Sequence, residues 1–233
     1  MTIYVLKIIA AISLLSEYLG RLIGFQSHET LSLLEFILRG IGTIALPLII
    51  FILVEEFTNI KDKEKENSYI KNLLILAIVA EIPYNLLISG VPIELNSQNL
   101  IFTLLLSVLC IRVLIKIEES YRDKMFVINI LNALATLAFA FLAAFLFTEY
   151  SYMGILLAVA FYLFKESKGL ILMSIFIVIG YLSGDIINGM LAMVSMLFIW
   201  FYKGEKGKDT KQVFYIFYPA QLIILYLIRL IIV

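Results

Sequence analysis

The sequence predicts an all-α fold, a polytopic transmembrane helical bundle of about nine spans, within a range of seven to ten, whose N-terminus is cytoplasmic. Three observations predict it. Hydrophobic residues make up 62% of the 233-residue chain and charged residues 15%, with a mean hydropathy of +1.02, well outside the usage of soluble domains. Apolar runs recur along the whole length rather than once. The connecting segments alternate between those that carry Lys or Arg and those that carry neither.

A bilayer core about 30 Å thick needs around 20 apolar residues per helix. Segments of that kind fall at 4–24, 31–54, 70–89, 99–116, 125–147, 152–164, 170–184, 187–202 and 213–232. The first carries Glu17 and Arg21 and has no small-residue cleavage site, so it reads as a first transmembrane helix and not a signal peptide. Pro47 in the second and Pro83 in the third predict a kink or a lost backbone hydrogen bond in each. The segment at 152–164 is short, and those from 170 to 202 are tightly spaced. No internal repeat and no soluble domain emerge, which makes residues 1–233 a single integral membrane domain.

Lys7, then Lys61 to Lys71, then Lys116, Arg122 and Lys124, then Lys165 and Lys168, then Lys203 to Lys211 fall at every second boundary. The stretches 25–30, 90–98, 148–151 and 184–188 hold no Lys or Arg. The positive-inside rule puts the Lys-bearing loops in the cytoplasm and, with nine spans, the C-terminus outside. The 61–66 run reads as a solvated linker, with its bases also able to meet an anionic lipid or a polyanionic cofactor. A formal charge of zero removes the basic patch that nucleic-acid binding needs. Cys110 stands alone, so there is no disulfide framework and no thiolate metal cluster, and it reads as a small apolar helix residue.

Five ionisable residues lie inside the apolar segments: Glu17, Arg21, Glu35, Arg39 and Glu81. Each costs about 2.5–3.5 kcal/mol at mid-membrane depth unless it is paired or lines a wet cavity. Glu17 and Arg21 are four apart, as are Glu35 and Arg39, acid before base, so each pair shares a helix face. Such pairs can simply neutralise one another for insertion. Yet all five fall in the middle or outer half of their spans, on the side where Gln98, Asn99, Glu149, Asp185 and Asn188 cluster, and one outward-opening polar pocket would account for the whole set. Gly40 and Gly42 suit close helix packing. Tyr4, Tyr69, Tyr202 and Tyr226 read as interfacial anchors, and His28, the lone histidine, as a solvated loop residue.

Several strings resemble, in order and spacing, the TraX family, named for the F-pilin acetylase of conjugative plasmids. They are Leu6-Lys7-Ile8-Ile9-Ala10 with Tyr18-Leu19-Gly20, Leu38-Arg39-Gly40-Ile41-Gly42 with Ala45-Leu46-Pro47, and Glu55. Tyr69, Glu81-Ile82-Pro83-Tyr84-Asn85-Leu86, Gln98-Asn99-Leu100-Ile101-Phe102-Thr103-Leu104 and Thr148-Glu149-Tyr150 with Gly154 follow. Tyr202-Lys203-Gly204-Glu205-Lys206-Gly207 and Phe214-Tyr215-Ile216-Phe217-Tyr218-Pro219 complete the series.

The resemblance implies an acetyltransferase of the bacterial cytoplasmic membrane that moves an acetyl group from acetyl-CoA to an amine or hydroxyl of a peptide, pilin-like or glycan acceptor, with no metal. Arg39, Glu55, Glu81, Gln98, Asn99 and Thr103 match positions the family shares. The chain departs from it at polar positions: Ser16-Glu17 stands where Asp-His is usual, Gln221 where a histidine follows the Tyr-Pro string, Thr43 for an arginine, and Asn85 and Glu149 for aspartates. The expected catalytic set is Glu17, Arg39 and Glu81, and the expected substrate- and cofactor-binding set is Arg21, Glu55, Gln98, Asn99, Thr103, Glu149 and Gln221.

In this reading Glu17 is the base, since apolar surroundings raise a carboxylate's pKa toward that of a base competent at neutral pH, while Arg21 one turn away opposes the shift. Arg39 binds the acceptor carboxylate or the oxyanion, and Gln98 with Asn99 orients polar groups. Loss of both motif histidines motivates a second reading, a catalytically degenerate relative that acts as a binding or assembly factor. A transporter is disfavoured by the lack of a repeat with paired broken helices.

Overall fold

The computed structural model describes residues 1–25, 29–208 and 211–232, and of residues 29–32, 181, 211–214 and 232 the backbone only. His28 lies outside the described residues. Helix α1 spans Ile3–Gly24 and starts at Thr2, whose side chain accepts from the Val5 amide. Its inward face repeats every three to four residues through Leu6, Ala10, Leu14, Glu17 and Tyr18, whereas Ile8 and Ile12 point outward. The polar atoms are thus inside and hydrocarbon outside, the pattern of a helix solvated by lipid.

Helices α2 (Glu29–Gly42) and α3 (Ala45–Thr58) belong to one candidate span, Leu33–Thr58, interrupted by a turn at Thr43 and Ile44. Pro47 explains the break: its ring occupies the space of the carbonyl four residues earlier, that of Thr43. α4 (Lys63–Ser89) runs unbroken through Pro83. It also absorbs most of the supposed 61–66 linker, because Asp62 caps it by accepting from the Glu64 amide, with Glu64 and Glu66 in the first turn, where carboxylates suit the helix dipole. Gly90, at φ 75°, ends α4 in the left-handed conformation that favours glycine.

α5 (Leu100–Ser120), α6 (Met125–Phe145) and α7 (Ser151–Leu163) follow. α8 (Lys168–Ile175) continues as one π-helical turn at Phe176–Tyr181, and α9 (Ile186–Ala192) is separated from α10 (Ser195–Trp200) by a turn at Met193 and Val194. Gly180 and Gly189 meet backbone to backbone here, leaving no space for a side chain at position 189. α11 (Lys211–Ile232) closes the chain and contains Pro219. No strand occurs among the described residues apart from an isolated bridge between Gln98 and Thr148.

Among the described residues the nine expected apolar segments correspond to nine helical rods when α2 with α3, α8 with its π turn and α9 with α10 are each taken together. Five candidate spans among the described residues are long and apolar enough to cross a membrane, and the rods at 151–163, 168–180, 186–200 and 215–231 are shorter. Helices α1, α3, α4, α5, α7 and α11 surround the main core. α6 packs on a satellite core with α5 and α7 that includes Cys110, and it turns Phe126, Leu134, Leu137, Phe141 and Phe145 outward.

Contacts between helix ends sort the connections onto two faces. On one, Lys203 bonds Met1 backbone to backbone, Lys7 pairs with Glu56 at 2.7 Å, and Arg112 with Glu66 at 2.7 Å. There too Tyr162 donates to Glu118, and the Lys168 ammonium lies over the Trp200 ring. On the other face, Arg229 donates to the Leu86 and Leu87 carbonyls and covers Phe25, Gln98 joins the 147–149 turn, and Tyr152 donates to Leu182. The Lys-bearing connections therefore gather at one end of the bundle and the Lys-free ones at the other, as the alternation in sequence requires.

Candidate functional site

Glu17 and Arg21 share one face of α1 by their spacing, and Arg21 Nε donates to Glu17 Oε1 at 3.0 Å. The other arm of the guanidinium reaches across the bundle: Nη1 donates to Glu149 Oε1 at 2.6 Å. The Tyr18 hydroxyl donates to Glu149 Oε2 at 2.7 Å and lies 3.2 Å from the Tyr218 hydroxyl of α11. Arg21 also sits 5.4 Å from the Tyr18 ring centroid, within cation–π range.

Glu17 is 7% exposed and Glu149 8%, so both carboxylates depend on this pairing. Arg21 thus bridges two carboxyl groups, one on each arm of its guanidinium. Glu149 commits both oxygens, whereas Oε2 of Glu17 has no hydrogen bond among the described residues.

Glu149 is held in place by an unusual turn. Phe147, Tyr150 and Ser151 have φ of 52°, 60° and 45°, a left-handed conformation that costs non-glycine residues energy and persists only where neighbours enforce it. Here Gln98 donates its amide to the Phe147 carbonyl and accepts from the Glu149 amide. The Thr103 hydroxyl donates to the Glu149 carbonyl, and Thr148 bonds back to Ala143. Thr103 reaches the turn because Gly154 has no side chain: a Cβ there would collide with the Thr103 methyl. Within the turn, burial first, then the carboxylates of Glu17 and Glu149, hold the Tyr150 hydroxyl pKa well above its ordinary value, so it stays a neutral phenol.

Two glycines let α1 and α2 approach closely. A Cβ on Gly20 would lie 2.5 Å from Arg39 Cγ, and one on Gly42 would lie 2.7 Å from Glu17 Cα. Gly42→Ala is therefore expected to push the helices apart at Glu17 and lose about 1–3 kcal/mol, read as a lower thermal midpoint in detergent. Gly40→Ala meets only the flexible tip of Leu191 at 3.1 Å, and serves as the mild control.

A second polar group adjoins the first through the backbone. Asn99 caps α5 by accepting from the Ile101 amide, and its Nδ2 donates to the Ala77 carbonyl at 2.8 Å and to Glu81 Oε2 at 2.5 Å. Its neighbour Gln98 is the residue that grips the Glu149 turn. Thus Glu81, Asn99, Gln98 and Thr103 support one another and the position of Glu149.

Two cavities flank this cluster. An apolar one of about 170 Å³ lies between α1, α3, α4, α5 and α11. Its Lys-face end carries Lys7, Glu56, Tyr69 and Tyr215, its middle is Leu, Ile and Ala, and its lining includes Tyr218, which touches Tyr18. The other, of about 330 Å³, is a polar cleft lined by Glu35, Phe36, Arg39, Asp185, Ile187 and Asn188. In it Arg39 pairs with Glu35 at 3.1 Å.

The expected single pocket is thus divided. Glu17, Arg21 and Glu149 come together, backed by Gln98, Asn99, Thr103 and Glu81. Arg39 faces the polar cleft, and Glu55 lies on the Lys face, where it accepts from Tyr202. Gln221 is buried in α11 one turn beyond Tyr218, with no hydrogen-bond partner for either side-chain amide atom among the described residues. No group of His, Cys, Asp and Glu suited to a metal ion occurs among the described residues.

Tyr18 and Tyr218 are the site residues that composition conceals, since aromatic residues count as hydrophobic. The cue available was Tyr18 standing beside Glu17 in mid-span. Tyr69, read as an anchor, also lines the cavity mouth, and Tyr202, read likewise, donates to Glu55.

A family model described as TraX protein matches residues 3–229. No curated protein and no solved structure was found to match.

Proposed function

The chain belongs to the TraX family, and from that premise we propose that it is an integral membrane acyltransferase that moves an acetyl group from acetyl-CoA to an amine or hydroxyl acceptor. The observation that carries this reading is the apolar cavity, which runs from the Lys-bearing face to Tyr218, whose hydroxyl lies beside that of Tyr18 and so next to the Arg21-bridged carboxylates. On α1 its lining runs from Lys7 to Leu14, seven residues or roughly 10 Å of rise. That is a narrow passage with polar groups at both ends and hydrocarbon between, and it suits the slender arm of a thioester donor. Lys7 lines its outer end, and Lys203 and Lys206 lie in the connection that bonds the backbone of Met1 and Tyr4 on the same face; these cations would meet the donor's phosphates if that face is cytoplasmic. The donor, when bound, supplies an activated acyl group.

The chain's own residues do the rest. Glu17 would take a proton from the acceptor at Oε2, the oxygen that has no hydrogen bond among the described residues. Arg21 fixes the other oxygen, and Glu149, committed to Arg21 and Tyr18, acts as a positioning residue. The polar cleft at Arg39 gives the acceptor a way in from the opposite side, since Gly42 at the end of α2 abuts Glu17. Bilayer lipid surrounds the bundle, and the cleft's ion pair suits a peptide, glycan or lipid head as acceptor.

Purified chain in vesicles, given labelled acetyl-CoA on the Lys-bearing side with peptide amines and sugar acceptors, should transfer label. Absence of transfer to every acceptor class would overturn the reading. A second reading, a non-catalytic binding or assembly factor, draws support from the full commitment of Glu149 to structural bonds. It predicts that Glu17→Gln and Arg39→Ala leave the host function intact.

A further inference from the structure

Gln221 is 4% exposed, and neither its side-chain nitrogen nor its oxygen has a hydrogen-bond partner among the described residues. Two buried acceptors on α4 share that condition, Glu81 Oε1 and Asn85 Oδ1, four residues apart and so on one helix face. α4 and α11 run parallel. Tyr69 and Tyr215 meet at the cavity mouth, and Arg229 meets the Leu86 and Leu87 carbonyls at the far end. Gln221 falls between these two crossing points on α11, as Glu81 and Asn85 do on α4.

Buried polar groups are nearly always partnered, and one left bare bears its full desolvation penalty. A leucine would fill the space of Gln221 without that penalty. An amide kept bare in mid-bundle, one turn beyond a tyrosine that touches the charged cluster, has a use other than packing.

We propose that Gln221 is the donor that holds the acyl carbonyl oxygen during transfer, a role that rests on the acyltransferase reading. The acceptor's lone pair forms a bond to the thioester carbonyl carbon, the carbonyl π pair moves onto oxygen, and the Gln221 N–H donates to that oxyanion. Glu17 takes the acceptor's proton. The oxygen pair then re-forms the double bond, the carbon–sulfur bond breaks, and the leaving thiolate takes up the proton that Glu17 had accepted, which restores the carboxylate.

The test compares Gln221→Leu with the parent chain in two measurements, thermal midpoint in detergent and acetyl transfer in vesicles. Because the leucine removes a bare buried amide, the midpoint should rise by about 2–4 °C, while kcat falls about 10²- to 10³-fold with the donor KM little changed. Gln221→His, which restores a donor, should regain part of the rate. A lower midpoint for Gln221→Leu would mean that the amide has structural partners, and unchanged kcat that it holds no oxyanion; either removes this role alone. No transfer by the parent chain removes the acyltransferase reading and this role together.

Discussion

Glu17→Gln is expected to lower acetyl transfer about 10²- to 10⁴-fold, the range spanned by general-base contributions, while the protein stays folded. The substitution is nearly isosteric. Its amide oxygen can still accept from Arg21 Nε, so the link that orients the side chain at 3.0 Å survives. What disappears is the carboxylate oxygen, Oε2, to which the proposed reaction delivers the proton. The change should appear in kcat, with donor and acceptor KM near those of the parent chain, because neither cavity has Glu17 in its lining. Transfer that continues at the parent rate would place the base elsewhere.

Arg21→Leu should have the largest effect on stability, a loss of about 3–5 kcal/mol, as for a buried ion pair deprived of one partner. The guanidinium is the cation that bridges Glu17 and Glu149, and without it two carboxylates, 9% and 5% exposed in their side chains, face each other with the Tyr18 hydroxyl as the donor that remains. Adding Glu149→Gln to Arg21→Leu should recover a large part of the loss, and adding Glu17→Gln more. The check is a mutant cycle of thermal or denaturant midpoints in one detergent. A loss below about 1 kcal/mol would put the bridge in the class of exposed surface pairs and would contradict its burial.

Much of the architecture was legible from hydropathy and charge. Spacing alone pairs Glu17 with Arg21 and Glu35 with Arg39, and the placement of lysines foretells which helix ends meet. Pro47 was a sound signal of a break, but one that falls three to four residues earlier, where its ring displaces a carbonyl. Pro83 shows the limit of that rule, since α4 passes it without interruption.

The partnership of Arg21 with Glu149 could not be read, because nothing local ties residues that far apart. The turn that presents Glu149 adopts left-handed φ at Phe147, Tyr150 and Ser151, with no glycine to announce it. Glu35 and Arg39 looked equivalent to Glu17 and Arg21 in spacing and depth, yet they open to a different cleft. The difference lies in the faces of α1 and α2 that meet through Gly20 and Gly42, a tertiary fact. Glu55 matched a family position but lies at the opposite end of the bundle, so its match says nothing of proximity to Glu17.

The Arg21 bridge also has a history in the life of the chain. Helix α1 enters the bilayer before residue 149 has been made, and at that moment Arg21 has Glu17, one turn away, as its near neighbour of opposite charge. The pair travels as a neutral dipole, which lowers the penalty that each charge alone would meet in hydrocarbon. Only when α5, α7 and the turn before α7 have assembled does the second arm of the guanidinium find Glu149. The same side chain is thus an escort during biogenesis and a clamp afterwards, and the carboxylate cluster comes into being with tertiary closure rather than with insertion.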